Sequence, residues 1–127
     1  MMYKEIQLSD VDIDGFLHSR ITNFTYDHNN KIFIAYFNYI NLKIKGSFYS
    51  CVMAVTDWWN LEVYEYNKQQ CVKQFSLHEI PELDRIIDVS FENDVLILTD
   101  FGMHNNTAID YKFTKPKIKI TGEYDPD

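Results

Sequence analysis

The chain has 127 residues, of which 46% are hydrophobic and 16% aromatic, so it can form a core and is not expected to be disordered. This length predicts a single domain spanning residues 1–127. The formal net charge of −7 argues against a nucleic-acid partner, because phosphates require a basic surface.

The sequence has no feature of a membrane-spanning or secreted protein. No apolar run approaches the roughly 20 residues that a membrane span needs. Residues 1–15 lack the apolar run and small-residue cleavage site of a signal peptide. We therefore expect a cytoplasmic chain with no membrane partner. In that compartment Cys51 and Cys71 are expected to be reduced thiols, although the sequence leaves open a single disulfide between them.

Residues 1–8 predict a short first strand or a loose end, and residues 10–15 (DVDIDG) have the opening of an EF-hand calcium loop. Such a loop is closed by a bidentate Glu at its twelfth position, which here is the apolar Ile21. We therefore predict a turn before a strand, with Asp14 and Gly15 supplying the turn geometry, and no metal site.

The following residues predict two strands joined by an Asn-containing turn, over Ile21–Asp27 and residues 31–39. Residues 31–39 are apolar at both odd and even positions, which is typical of a strand buried on both faces. Residues 42–45 alternate as a further short strand, with Leu42 and Ile44 facing inward.

Residues 48–66 form the stretch richest in aromatic and β-branched side chains, and they include both tryptophans. We interpret this stretch as two strands that meet near residues 57–60 and as the best candidate for the centre of a sheet. Residues 67–70 then predict a polar turn.

The second half of the chain predicts further short strands and one helical turn. The helical turn is expected over residues 78–85, with Pro81 near its start, where a missing N–H costs nothing. A strand over residues 86–91 is expected to face inward with Ile87, Val89 and Phe91. The remaining elements are expected to be strands over residues 72–77, 95–99, 108–113 and 117–121, a hairpin turn over 92–94, a loop over 100–107 and a loose tail over 123–127. Lysines along one side of the last strand predict an exposed sheet edge.

Together these elements predict a mainly β fold with little helix. The expected architecture is a twisted antiparallel meander that forms a sandwich or a partly closed barrel. Because the chain has only four glycines and three prolines, its turns are expected to depend on Asn and Asp.

No catalytic or cofactor motif is present. The four histidines (His18, His28, His78 and His104) are scattered and lack the spacing of a metal pair. Neither cysteine has the local signature of a nucleophile, and both are expected to be buried structural thiols. There is no glycine-rich phosphate loop and no Gly-x-Ser-x-Gly elbow. We therefore expect a protein that binds, with no catalysis of its own, no cofactor and no metal.

The negative charge is concentrated in one part of the chain. Residues 57–110 contain eleven acidic and three basic side chains, a net charge of −8, whereas the rest of the chain has a net charge of +1. Such a distribution favours a basic protein partner, because opposite fields accelerate encounter. The alternative is that acidic loops only keep a small β protein soluble.

The adjacent residues Trp58 and Trp59 point to opposite faces if they lie in a strand. One of them is then available as an aromatic anchor beside acidic residues, which is a composition typical of protein-binding hot spots. Alternatively, both are buried by layers on either side of the sheet. The candidate partner-binding residues are Asp57, Trp58, Trp59, Glu62, Glu65 and Asp100.

Four segments carry a resemblance to a known group of proteins: residues 17–21 (LHSRI), 58–59 (WW), 100–102 (DFG) and 122–125 (GEYD). Through them the chain resembles β-rich immunity proteins of bacterial contact-dependent and polymorphic toxin systems. The resemblance implies inhibition by tight binding, in which an acidic surface occludes the active site of a cationic toxin, often a nuclease.

Other functions remain open at the level of the sequence. A small β-barrel can hold one apolar ligand, and the many aromatic residues could line it. A non-catalytic assembly component and an enzyme that pairs a cysteine with a histidine are further alternatives. The oligomeric state is not determined by the sequence.

Overall fold

The computed structural model describes residues 2–12, 14–17, 19–102 and 107–126. The sequence features at Ile13, His18 and His104 lie outside these residues. Within them the chain forms ten strands and one short 3-10 helix, and no α-helix. The elements are β1 (Met2–Ile6), the 3-10 helix η1 (Leu8–Asp10), β2 (Ile21–Asp27), β3 (Ile32–Asn41), β4 (Ser47–Thr56), β5 (Asn60–Asn67), β6 (Gln70–Gln74), β7 (Ile86–Glu92), β8 (Val95–Gly102), β9 (Thr107–Thr114) and β10 (Lys117–Asp125).

The strands form two five-stranded antiparallel sheets packed against each other, which confirms the predicted mainly β sandwich. The first sheet has the strand order β1-β10-β4-β3-β2, and the second has the order β6-β5-β9-β8-β7. Neither sheet closes on itself, so the alternative of a partly closed barrel is wrong. The chain crosses between the sheets at residues 57–59 and 115–116, so residues 60–114 build the second sheet.

One hydrophobic core lies between the sheets, because alternate side chains of each central strand point inward. Phe33 and Phe37 of β3, and Tyr111 and Phe113 of β9, are no more than 1% exposed. Across the core the ring of Phe33 lies 5.5 Å from that of Tyr111 and 5.0 Å from that of Phe113, both edge to face. Burial of each such side chain contributes about 1.5–3 kcal/mol, so this aromatic contact between the layers is a main source of stability.

The first half of the chain follows its predictions with two exceptions. Only the inward face of β3 is fully buried, and Ile32, Ile34 and Tyr36 are half-buried because no further layer of the described chain covers the outside of the first sheet. The strand predicted over residues 42–45 is wrong. Leu42 makes a single bridge to Val11, and the chain then bends towards β4. As a result Ile44 is 77% exposed and does not face inward.

The helical turn predicted over residues 78–85 is also wrong, because residues 80–85 form no regular secondary structure and side chains of the second sheet bind this segment's backbone. The N–H groups of Asp84 and Arg85 donate to the carboxylate of Asp100, at 2.9 and 2.8 Å. The hydroxyl of Tyr111 donates to the carbonyl of Pro81 at 2.8 Å. Backbone groups used in these tertiary contacts are not available for a helix.

Three further predictions near β7 and β10 are corrected. A β-bulge at the start of β7 shifts the alternation, so that Ile86 is buried and Ile87 is 37% exposed. β10 is not an edge, because β1 pairs along it, with Ile6 opposite Ile120. The acidic tail predicted over residues 123–127 is instead part of β10 up to Asp125.

The turns predicted over residues 67–70 and 92–94 are confirmed. Of the turn predicted over residues 10–15, Ile13 lies outside the described residues, whereas Asp14 and Gly15 lie in a turn. The N–H of Gly15 donates to the carbonyl of Asp12 at 2.8 Å. The two hairpins each place two successive residues at positive φ, as in the mirror-image turns that match the twist of β-strands. In the turn at residues 92–94 they are Asn93 and Asp94, in agreement with the expectation that turns depend on Asn and Asp. In the turn at residues 67–70 they are Lys68 and Gln69, which differ from that expectation.

Candidate functional site

The net charge, which is uneven along the sequence, is also uneven between the two halves of the sandwich. Residues 60–114, which build the second sheet, contain ten acidic and four basic side chains, a net charge of −6. The remaining residues contain nine acidic and eight basic side chains, a net charge of −1. Most of the negative charge is therefore carried by the second sheet together with its connections, which include residues 75–85.

The outward side chains of β5, β9, β8 and β7 form what we call the acidic face. The pairing register places one row across all four strands, from Tyr64 through Asp110 and Thr99 to Asp88. Residues two positions away on each strand have the same orientation, because side chains alternate between the faces of a sheet. The acidic face comprises Glu62, Tyr64, Tyr66, Asp88, Glu92, Ile97, Thr99, Phe101, Asp110 and Lys112.

Hydrogen bonds position two carboxylates of the acidic face. The hydroxyl of Tyr64 donates to Glu62, and the side-chain amide of Asn60 donates to the same carboxylate at 3.3 Å. The hydroxyl of Thr99 donates to Asp110 at 2.8 Å. Because each contact leaves acceptor capacity on the carboxylate, both groups can also bind a cationic side chain.

Two tyrosines of the acidic face have a raised pKa. The hydrogen bond to Glu62, with smaller effects of burial and nearby negative charge, raises the pKa of Tyr64 to about 12. Burial, followed by the charge of Asp110, raises the pKa of Tyr66. The two rings lie 6.2 Å apart with their planes tilted by 54°. Both hydroxyls are therefore protonated at neutral pH, and the rings present uncharged aromatic surface among carboxylates.

A shallow groove of about 590 Å³ lies on the acidic face. Its lining includes the aromatic residues Tyr66 and Phe101, the acidic residues Asp88 and Asp110, and one basic residue, Lys68. Aromatic faces and carboxylates attract the same groups, the guanidinium of Arg and the ammonium of Lys. The groove is thus chemically suited to a basic side chain of a partner.

The predicted candidates at residues 57–59 lie where the chain crosses from the first sheet to the second. Trp58 is 2% exposed, and its ring packs edge-on against Phe113 at 5.1 Å and parallel to Tyr26 at 6.5 Å. Trp59 is 70% exposed, and the ammonium of Lys115 lies 3.8 Å from its ring centre. Of the two possibilities that the sequence left open, the structure therefore shows one buried and one exposed tryptophan, and burial of both is wrong.

Asp57 is exposed and adopts a positive φ of 53° at the start of this crossing. Its carboxylate lies 3.5 Å from the ammonium of Lys117. Lys117 is the first residue of β10 and follows the second crossing, at residues 115–116. The N–H of Trp59 donates to the carbonyl of Thr114 at 2.8 Å. These contacts hold the two crossings together, so Asp57 and Trp59 have a structural role at this corner as well as an exposed surface.

The remaining candidates separate from one another. Glu62 lies on the acidic face, whereas Glu65 is half-buried and lies opposite Lys73, at a position of β5 that points towards the other layer. Asp100 is 2% exposed, and burial raises its pKa even though two N–H groups bind it. Burial removes both Trp58 and Asp100 from the set of residues that a partner could contact. The structure places Asp57, Trp59 and Glu62 at the surface.

Sequence reasoning missed most of the acidic face. Tyr64, Tyr66, Asp88, Phe101 and Asp110 were not among its candidates. The alternation of Glu62, Tyr64 and Tyr66 indicated one outward row, but the positions beside it come from strands distant in the sequence. Only strand pairing brings these side chains together.

The two thiols and the two described histidines, His28 and His78, lie as follows. Cys51 is buried, as predicted, and burial raises its pKa to about 12, whereas Cys71 is exposed, which corrects its prediction. Both are free thiols. The rings of His28 and His78 lie 4.7 Å apart. In the part of the chain that the structure describes, no three His, Cys, Asp or Glu side chains are placed to hold a metal ion.

Comparisons with known proteins found no match for this chain among family models, curated proteins or solved structures. In the described residues, no helix is long and apolar enough to cross a membrane.

Proposed function

We propose that this protein is an immunity-type inhibitor, which binds and neutralises a basic toxin domain, such as a nuclease, through the acidic face. The observation that carries the proposal is the concentration of carboxylates and aromatic rings on the outside of one sheet. Its acidic side chains attract a cationic partner from a distance, and its rings supply the contact area that stabilises the complex. The resemblance to β-rich immunity proteins supports the same function.

The charge separation between the layers gives the encounter an orientation. A basic partner is attracted to the second sheet, with its net charge of −6, more than to the rest of the chain. Glu62 lies on β5 and Asp88 on β7, the two outer strands of the acidic face, so the two residues together span its width. The exposed indole of Trp59 immediately precedes β5 and adds an aromatic contact at the end of this sheet.

The alternative of an apolar ligand inside a β-barrel loses its structural basis. The two sheets have open edges, and large side chains such as Phe33, Phe37 and Tyr111 fill the space between them.

Growth rescue tests the proposed function directly. The protein encoded immediately upstream is expressed in a sensitive bacterium with and without this chain. We expect growth to stop without it and to recover with it. The variant Glu62→Lys/Asp88→Lys should lose rescue, whereas Glu5→Lys/Glu123→Lys makes the same change in charge on the first sheet and should retain it.

The two variants also separate charge location from total charge. If both lose rescue equally, the acidic face is not the binding surface. If the neighbouring protein is harmless, or is toxic with and without this chain, the proposed inhibitor function is wrong.

A further inference from the structure

The edge strand β7 borders an apolar slot between the two sheets. Two neighbouring concavities, of about 450 and 380 Å³, both have Leu8 and Phe91 in their linings. The lining of the larger one also includes Val11 and Val89, together with the charged residues Asp12 and Lys43, and that of the smaller one includes Ile118. We call the five apolar residues Leu8, Val11, Val89, Phe91 and Ile118 the apolar slot. Volumes of this size accommodate several apolar side chains.

The inward side of β7 is apolar but only partly covered. Val89 lies opposite Leu98 and Phe91 opposite Leu96, and both of these β8 residues are fully buried in the core. Phe91 nevertheless is 45% exposed, and Val89 is half-buried. The core is therefore open along this edge of the sandwich.

The outward side of β7 is acidic. Asp88, Ser90 and Glu92 alternate with the inward residues and belong to the side of the sheet that carries the acidic face. A strand placed beside β7 would therefore have one row of side chains against apolar surface and the other beside carboxylates.

Hydrogen-bond geometry leaves backbone groups of β7 available on its open side. Glu92 and Val95 flank a two-residue hairpin turn, so they form a pair that exchanges both hydrogen bonds. Such pairs alternate along an antiparallel ladder, and Ser90 is the next β7 residue to bond to β8. The N–H and C=O groups of Val89 and Phe91 consequently point away from β8, towards the open edge.

The other three edge strands are less suited to pairing. β1 and β6 are only five residues long, and a register shift interrupts the pairing of β6 with β5. The inner side of β2 is covered, because Tyr26 donates its hydroxyl to the carbonyl of Leu77 at 2.7 Å and Leu77 packs against the core. At β7 the bulge lies before Asp88 and leaves the run to Glu92 in regular register.

We propose that β7 is the docking edge for an extra strand from a protein partner, and that this strand alternates apolar and basic residues. Its apolar side chains enter the apolar slot, its basic side chains lie beside Asp88 and Glu92, and its backbone bonds to Val89 and Phe91. This inference rests on the proposed function, because it names the part of a basic partner that docks.

A synthetic strand tests the edge without the partner. The probe is a capped peptide of sequence Lys-Val-Lys-Val-Lys-Val-Lys, and its control is Lys-Lys-Val-Val-Val-Lys-Lys, which has the same composition without alternation. We expect the alternating peptide to slow amide hydrogen exchange at Val89 and Phe91, and to bind about tenfold more tightly than the control, a difference of about 1.4 kcal/mol. Equal binding of the two peptides, or unchanged exchange at both amides, overturns the inference.

A matched pair of variants isolates the backbone contribution. Val89→Pro removes an N–H from the open edge, whereas Val89→Ala keeps the N–H and removes only side-chain contacts. We expect Val89→Pro to bind the alternating peptide about tenfold more weakly than Val89→Ala does. Circular dichroism establishes that each variant is folded, and the peptide comparison on the unmodified protein stands if Val89→Pro is not. Equal affinities of the two folded variants overturn strand pairing.

The remaining outcomes distinguish this inference from the proposed function. If Val89→Pro retains full growth rescue while Glu62→Lys/Asp88→Lys loses it, docking at β7 is wrong and the inhibitor function stands. If the alternating peptide binds as expected but the neighbouring protein is not neutralised, the inhibitor function fails and the docking edge stands. Binding of 8-anilinonaphthalene-1-sulfonate at Phe91 without any response to the peptides overturns the strand in favour of a small apolar ligand.

Discussion

Truncating the two adjacent tryptophans separately should have very different consequences for stability. Trp58 is 2% exposed and contacts the rings of Phe113 and Tyr26, so Trp58→Ala leaves a cavity in the core. Removal of a buried tryptophan costs about 3–5 kcal/mol. Trp59 is 70% exposed, and Trp59→Ala removes mainly the cation–π contact with Lys115, which contributes about 0.5–1 kcal/mol at such a site.

Urea denaturation and thermal unfolding measure this difference. For a chain of this length, about 1 kcal/mol corresponds to roughly 4 °C in Tm, so Trp58→Ala should lower Tm by about 12–20 °C and Trp59→Ala by no more than about 4 °C. Trp58→Phe is a useful control, because it keeps an aromatic ring in the core and should lie between the two. Equal destabilisation by the two alanine variants, or a larger loss at Trp59, would refute the assignment of the buried and exposed indoles.

The same pair of variants has a functional use. Since Trp59→Ala should remain folded, any loss of growth rescue in this variant reports on contact with the partner and not on unfolding. Trp58→Ala cannot be interpreted in that way.

Four further predictions follow from local geometry and charge. Lys68→Asn/Gln69→Gly should stabilise the fold by about 1–2 kcal/mol in urea denaturation, because Lys68 and Gln69 both have a positive φ that Asn and Gly adopt with less strain. An unchanged free energy of unfolding would contradict backbone strain in this turn. Gly46→Ala should destabilise it by about 1 kcal/mol or more, because Gly46 has φ +128° and an added Cβ would lie 2.7 Å from a ring atom of Tyr124; an unchanged midpoint would contradict this. Burial raises the pKa of Asp100, so its contribution to stability is present below the ordinary pKa of 3.8 and is lost as pH rises through the raised value. The difference in unfolding free energy between Asp100→Asn and the unmodified chain should therefore shift in favour of Asp100→Asn as pH rises from acid to neutral. Parallel pH profiles of the two proteins would refute this. In alkaline titration by ultraviolet absorbance, one tyrosine should ionise at about pH 12, and Glu62→Gln should lower the pKa of that residue, Tyr64; an unchanged titration would exclude this hydrogen bond.

The correct sequence predictions are those that depend on local periodicity. The β2 prediction matches Ile21–Asp27 at both ends, and the junction near residues 57–60 separates β4 from β5. Alternation of apolar and polar residues identifies a strand from its own residues, because the two faces of a sheet have different environments. The hairpin turn at residues 92–94 is likewise a local property, since Asn93 and Asp94 tolerate a positive φ.

The incorrect predictions are those in which a distant partner competes with local preference. The segment around Pro81 is not helical because Tyr111 and Asp100 bind its backbone, and neither contact is visible in residues 78–85 themselves. β10 is an interior strand because the first strand of the chain pairs with it. Residues 42–45 alternate like a strand, but apart from the single bridge of Leu42 to Val11 they pair with no strand in the described part of the chain.

The sequence by itself determined the class of fold, the position of most strands and the excess of negative charge in residues 57–110. These properties follow from composition and short-range periodicity. Tertiary structure decided which tryptophan is exposed, that Asp100 is buried, and that Tyr66, Asp88 and Asp110 share one face. The physical reason is that the face belongs to a sheet whose neighbouring strands are distant in the chain, so its chemistry exists only after the strands have paired.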